Sequence, residues 1–425
     1  MTPATPEPRT TVFTDVTEAL TPTALIAPDG RVLALDGVRA LAVTAVAVFH
    51  MNSSWLVGGY VGADVFFVLS GYLITSLLLK EHDGTGRVRL ASFWSRRARR
   101  LLPALLAVLV TLCATAALAG GDAVDGLRGD TLSSLLFTDN WWQILHHTAH
   151  FAADGPLSPF THLWSLAIEG QFYLLWPLLL LAMLWLLRRR PPAVRRLMAL
   201  LTVGLAAASY ALMATLFAVG EDPFRIHHGT DTHCGPLLVG AAAACLLPLH
   251  SARTLHAPQV RRAFDAAGVL GLVLLLCYAV GVPGTDTRAY YGGLALAAVA
   301  ALGVILAASV PGSLARFLSV RPLVWIGERS YALYLWHWPV IALFSRTDAV
   351  HTWVAYATEL SAPLLLARFT HRCLEAPLRA HGLRGALLLT TAWFREGLAA
   401  RLPAAIATAL ALALLITAAA WGLIS

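Results

Sequence analysis

The chain has 425 residues, 58% of them hydrophobic and only 13% charged, with a formal net charge of +7, and its mean hydropathy is +0.68. That composition excludes an ordinary water-soluble domain and a disordered polymer; it fits helices dissolved in a bilayer. The basic balance needs no nucleic acid to explain it, because Lys and Arg gather in alternate connections between apolar runs.

Residues 1–30 carry no basic start followed by an apolar core, so they read as a disordered cytoplasmic tail and not as a cleaved signal peptide. A membrane span needs roughly 20 mostly apolar residues. Stretches close to that length follow at 37–57, 59–79, 101–119, 163–186, 197–218, 231–249, 264–282, 291–309, 322–344, 350–368 and 403–423. The stretch 131–145 is weaker and stands apart from them.

The runs are rich in Leu and Ala, uninterrupted and too long for barrel strands, which predicts an all-α polytopic bundle of about 10–11 transmembrane helices. Residues 31–380 form one membrane domain, 381–402 a basic interfacial linker, and 403–425 a last helix. With the N-terminus inside, 27 of the 31 Lys and Arg residues fall in cytoplasmic segments; only Arg128, Arg225, Arg288 and Arg346 lie outside. The C-terminus is then extracytoplasmic. The five cysteines are dispersed among the helices and suggest neither a disulfide framework nor a zinc ribbon.

An ionisable side chain inside a bilayer costs about 2.5–3.5 kcal/mol on insertion scales, so each one asks for a reason. In LDGVRALAVTAVAVFH, Arg39 and His50 are 11 positions apart, which on a helix places them on one face. Their depths differ by about 16 Å. Taken alone, the pair reads more readily as a topology anchor plus a helix-packing histidine than as a site.

The next run adds Asp64 among glycines. In FWSRRARRLLPAL, Arg96 and Arg100 are expected on one side of an entering helix, where planar guanidiniums suit phosphate or merely mark the cytoplasmic side. WSLAIEGQFYLLWP buries Glu169 one turn from Ser165 and from Tyr173; it either orients His50 or ties the bundle together. GERSYALYLWHWPV sets Ser330, Tyr334 and His337 in a polar stripe that packing or a pore lining would equally produce. His146, His147, His150, His162, His227 and His228 lack a convincing carboxylate or thiolate set, so no metal site is expected. No GxSxG elbow or GxxxxGK[ST] loop occurs.

Taken in order, these segments, together with GTDTHCGPLLVGA, resemble the acyltransferase 3 family of membrane O-acyltransferases over about residues 33–380. The resemblance implies transfer of an acyl group, usually acetyl, from cytoplasmic acyl-CoA to a hydroxyl of a glycan or similar acceptor. It assigns acyl-CoA as a co-substrate with no permanently bound cofactor, and a bacterial inner-membrane location.

On that reading Arg39, Arg96 and Arg100 hold the phosphates, and His50 is the base with Glu169 as its orienter. Asp64, Ser330, Tyr334 and His337 are the candidates for acceptor or oxyanion contacts. Where many relatives have Thr-Asp-Thr-Arg, this chain has His233 in the arginine's place. Some relatives continue into an extracytoplasmic hydrolase-like domain, so either this chain acts alone or a separate partner supplies that part. A transporter or flippase of a lipid-linked substrate, and a non-catalytic scaffold, are the rival classes.

Overall fold

The structure is a computed structural model that describes residues 25–27, 30–119, 123–146, 158–189, 193–252, 257–344 and 353–378. Most of the expected tail, the linker 381–402, the span 403–423, and His147 and His150 lie outside the described residues.

The helices in chain order are α1 (Leu33–Met51), α2 (Gly62–Thr85), α3 (Leu90–Ala119), α4 (Ala123–Leu135), α5 (Asp139–Leu145), α6 (Trp164–Leu187), α7 (Val194–Ala218), α8 (Pro223–His228) and α9 (Thr230–His233). They continue as α10 (Gly235–Leu246), α11 (Leu249–Ala252), α12 (Pro258–Gly281), α13 (Leu294–Ser309), α14 (Ser313–Leu318), α15 (Arg321–Glu328), α16 (Ser330–Phe344) and α17 (Trp353–Thr370). Among the described residues there is no strand, only an isolated bridge from Ile26 to Val32.

Among the described residues, seven helical segments are long and apolar enough to cross a membrane. Their outer surfaces are apolar too: on α6, Leu174 and Leu178 are exposed while Trp176 and Leu180 are buried. A helix that is apolar all round belongs in lipid. The protein is a multi-pass membrane protein built as an all-α bundle.

Two of the expected spans are broken, and the weaker stretch 131–145 is not one helix. The run 231–249 breaks at Cys234 into α9 and α10, where Pro236 opens the second helix at a position that needs no N–H. The run 322–344 breaks at Arg329, whose backbone (φ −104°, ψ 2°) ends α15 before α16 begins. The run 131–145 is two short helices, α4 and α5.

The helices in the centre approach to backbone contact. A Cβ on Gly71 of α2 would lie 1.9 Å from the carbonyl oxygen of Leu237, and one on Gly240 of α10 would lie 2.0 Å from that of Val68. Only glycine permits this crossing, and without water to drive association such close van der Waals contact is what holds membrane helices together. Buried Leu69, Tyr72, Leu237 and Ala241 fill the space beside it. The crossing fixes the rotation of α2, and with it the direction in which Asp64 and Ser70 point.

Candidate active site

One cavity runs into the bundle. Arg39 of α1 and Arg97 and Arg100 of α3 line it, as do Ser70 of α2 and Ser165, Glu169 and Tyr173 of α6; Ser330, Tyr331 and Tyr334 of α16 complete the wall. Five helices therefore contribute to a single chamber.

The arginines are not the pair expected from helical spacing. Arg96 is exposed and faces Glu81 of α2, 3.5 Å away, outside the cavity lining. Arg97 takes the inward place instead, with its guanidinium 5.7 Å from the Phe93 ring centroid and 5.9 Å from that of Tyr173. The inward pair is thus i, i+3 (Arg97 and Arg100). Spacing on α3 is compatible with either pair, and the helix rotation that selects between them is set by packing against α2 and α6.

Arg39 is anchored by Asp36, one turn earlier, at 2.6 Å. Asp36 is 2% exposed and also accepts from Arg31 at 2.8 Å. Arg31 in turn reaches Glu328 of α15 at 2.9 Å, so a chain of alternating charges holds the cavity's arginine end.

Glu169 does not contact His50. Its Oε1 accepts short hydrogen bonds from Ser70 Oγ and Tyr173 O–H, and Tyr173 also reaches Ser70 at 3.2 Å. The orienter expected from sequence is therefore placed in the middle of the cavity wall, among hydroxyls. Ser165, one turn before it, bonds instead to the Tyr334 hydroxyl at 2.8 Å.

His50 is paired with His337: Nδ1 of the first lies 2.9 Å from Nε2 of the second. The ring of Trp338 meets His50 edge-on at 4.9 Å between centroids. His337, 1% exposed, bonds through its Nδ1 to the backbone oxygen of Tyr334 at 2.5 Å. Tyr334 thus joins the two halves of the site, its side chain lining the cavity and its carbonyl holding the histidine pair.

Asp64 stands apart from this chamber. It is 1% exposed and lies 3.1 Å from Nε2 of His233, itself fully buried, on the far side of α2. The expectation of Asp64 as an acceptor or oxyanion contact gives way to a buried carboxylate and imidazole pair. His233 supplies the hydrogen bond that a carboxylate inside a bundle requires. Ser70 and Arg97 are not among the residues expected from sequence: Arg97 is adjacent to Arg96 on α3, and nothing in the local pattern marks Ser70.

Among the described residues no group of three or more His, Cys, Asp or Glu is arranged to hold a metal ion.

The cavity thus has cations at one end, a wall of hydroxyls and a carboxylate, and a histidine pair beside the other end. The chain belongs to the acyltransferase domain family, whose pattern it matches over residues 32–367. It is 38% identical over 355 residues to the peptidoglycan O-acetyltransferase OatA of Listeria monocytogenes, covering 82% of this chain and 56% of that protein. To the putative peptidoglycan O-acetyltransferase YrhL of Bacillus subtilis it is 36% identical over 354 residues, 82% of this chain and 55% of the other. A putative O-acetyltransferase of Staphylococcus aureus strain COL is 35% identical over 353 residues, 82% and 58% respectively. The chain spans just over half the length of these relatives. No solved structure is significantly similar to it.

Proposed function

We propose that the protein moves an acetyl group from an acyl-CoA to a hydroxyl of a cell-wall or cell-surface glycan. The observation that carries this reading is the single cavity that has Arg39, Arg97 and Arg100 at one end and Tyr334, backbone partner of His337, at the other. Three guanidiniums suit a polyphosphate better than any neutral ligand. The depth between Arg39 and His50, about 16 Å from helix rise, suits an extended arm that carries a thioester from a charged anchor toward a base.

The chemistry follows. His50 accepts the proton of the acceptor hydroxyl, and the oxygen attacks the thioester carbonyl carbon. The C–O bond forms, the C–S bond breaks, and the thiolate leaves with the proton that the imidazolium returns. Ser330, which lines the cavity, is the proposed hydroxyl donor to the oxyanion, since Tyr334 already donates its O–H to the backbone oxygen of His162. Arg96, an expected phosphate ligand, is replaced in this role by Arg97.

The distribution of Lys and Arg supports an N-terminus in the cytoplasm of a bacterial inner membrane, with the arginine end of the cavity on that side and His50 toward the exterior. The peptidoglycan O-acetyltransferases among the relatives make peptidoglycan the first acceptor to test.

The test uses the full chain in nanodiscs with acetyl-labelled CoA and soluble glycan strands. Label appearing as an ester on the glycan, with release of one free thiol per ester, is the expected result, and His50→Ala abolishes it. Label that never leaves CoA, in a preparation that instead moves a lipid-linked glycan across vesicles, overturns the reading in favour of a transporter.

A further inference from the structure

The hydrogen bonds around His50 define which of its nitrogens can act as the base. The partner of His337 Nδ1 is a backbone carbonyl, Tyr334 O at 2.5 Å. A carbonyl only accepts, so His337 Nδ1 carries a proton. In the neutral imidazole its Nε2 then holds a lone pair. The atom 2.9 Å from that lone pair is His50 Nδ1, which must donate to it. The two ring planes are only 21° from parallel with centroids 5.2 Å apart, so the contact joins ring edges nearly in plane and is a directed N–H···N bond.

We infer that His337 is a positioning residue that fixes His50 as the Nδ1–H tautomer and so makes Nε2 the basic nitrogen. This rests on the reading of His50 as the general base given above. An imidazole in water favours the opposite tautomer, with the proton on Nε2, which has no lone pair there to take a hydroxyl proton. His337 thus does by a neutral relay what a carboxylate does for a catalytic histidine elsewhere. When His50 Nε2 takes the acceptor's proton, the charge on His50 is met at Nδ1 by the His337 lone pair, and the His337 N–H remains on Tyr334 O. His337 therefore acts through His50 and does not itself touch the acceptor.

Two substitutions separate this role from simple packing. His337→Leu fills the space and removes the lone pair; His337→Gln places an amide oxygen where Nε2 stood. The expected result is a loss of about 100-fold or more in kcat for Leu, the low end of general-base contributions, with KM for acetyl-CoA within about twofold. Gln should recover at least a tenth of the wild-type kcat. A Leu variant with normal kcat, or a Gln variant as inactive as an equally well inserted Leu variant, overturns the assignment.

The second measurement needs no activity. Protein labelled with 15N-histidine in nanodiscs, with the His50 signals identified by their loss in His50→Ala, should show a protonated Nδ1 and an unprotonated Nε2. In His337→Leu the protonated nitrogen should become Nε2. Should the wild-type protein transfer no acetyl group, the parent reading fails, while the tautomer is still decided by this spectrum: a wild-type His50 protonated on Nε2 overturns the inference whatever the activity.

Discussion

Asp36 receives the guanidiniums of both Arg31 and Arg39 on its two oxygens, at 2.8 and 2.6 Å, although its own side chain is only 3% exposed. A carboxylate removed from water in this way is tolerable only while both cations are in place. It leaves Arg39 at a fixed depth in the wall of the cavity. Asp36→Asn retains the shape and removes the charge, and the expected outcome is a rise of roughly 3- to 10-fold in the KM for acetyl-CoA with kcat little changed, since a hydrogen bond to a charged group contributes about 1.5–3 kcal/mol and only part of it is lost. Steady-state kinetics on the reconstituted protein check this, and an unchanged KM would show that Arg39 needs no anchor.

The neighbouring arginines of α3 give a sharper contrast. Arg97 lines the cavity, whereas Arg96 is exposed and pairs with Glu81 at 3.5 Å. Arg97→Gln is expected to raise the KM for acetyl-CoA by about 10-fold or more, the value of a lost charge-assisted contact. Arg96→Gln should stay within about twofold of wild type, as an exposed ion pair contributes 0–1 kcal/mol. The reverse order would mean that α3 is rotated in the working protein.

The crossing of α2 and α10 is expected to tolerate no side chain. A Cβ on Gly240 would stand 2.0 Å from Val68 O and 2.8 Å from the backbone nitrogen of Tyr72, both backbone atoms that no rotamer change can move. Gly240→Ala is therefore expected to lower the thermal midpoint in detergent by several degrees, in line with overpacking costs of about 1–3 kcal/mol. Gly204, whose Cβ would meet nothing within 4 Å, serves as the control. Fluorescence-detected size exclusion after heating distinguishes the two.

Asp139, in the short helix α5 outside the spanning segments, has its carboxyl pushed up to about 8, first by burial and then by the charge of Asp130, against hydrogen bonds from Gln143, Ser133 and Ser134. The folded protein therefore holds a proton that the unfolded chain has already released, and stability falls as pH rises through the window from about 4 to about 8. Above the folded value the loss is complete and the slope vanishes. Asp139→Asn, which mimics the protonated form, should flatten this dependence, so that its thermal midpoint relative to wild type rises between pH 6 and 8 and then levels off. A constant difference across that range would contradict the assignment.

Several of these outcomes concern residues whose type was visible in the sequence but whose direction was not. The i, i+4 spacing sets Arg96 beside Arg100 on a helical face, yet i, i+3 is as good a neighbour, and it is Arg97 that turns inward. Glu169 stands out in the sequence because a carboxylate in an apolar run is costly, and that cost is met by Ser70 and Tyr173 instead of by His50. The segments 231–249 and 322–344 read as single spans because hydropathy averages over a break; Pro236 and Arg329 mark the breaks only once their backbone is seen.

The solvent, the secondary structure and the order of the family's motifs are legible in the chain alone, because apolar run length, the obligation to satisfy backbone groups in lipid and the 3.6-residue period all act within a segment. The shared face of Arg39 and His50 belongs to this class. Which residues meet across helices is settled by the packed bundle: His337 against His50, 287 positions away, Tyr334 against Ser165, and His233 against Asp64. Those pairings depend on the rotation and depth of each helix against its neighbours, and contacts such as Gly71 with Leu237 and Gly240 with Val68 set both by backbone approach, which no periodicity within a single helix records.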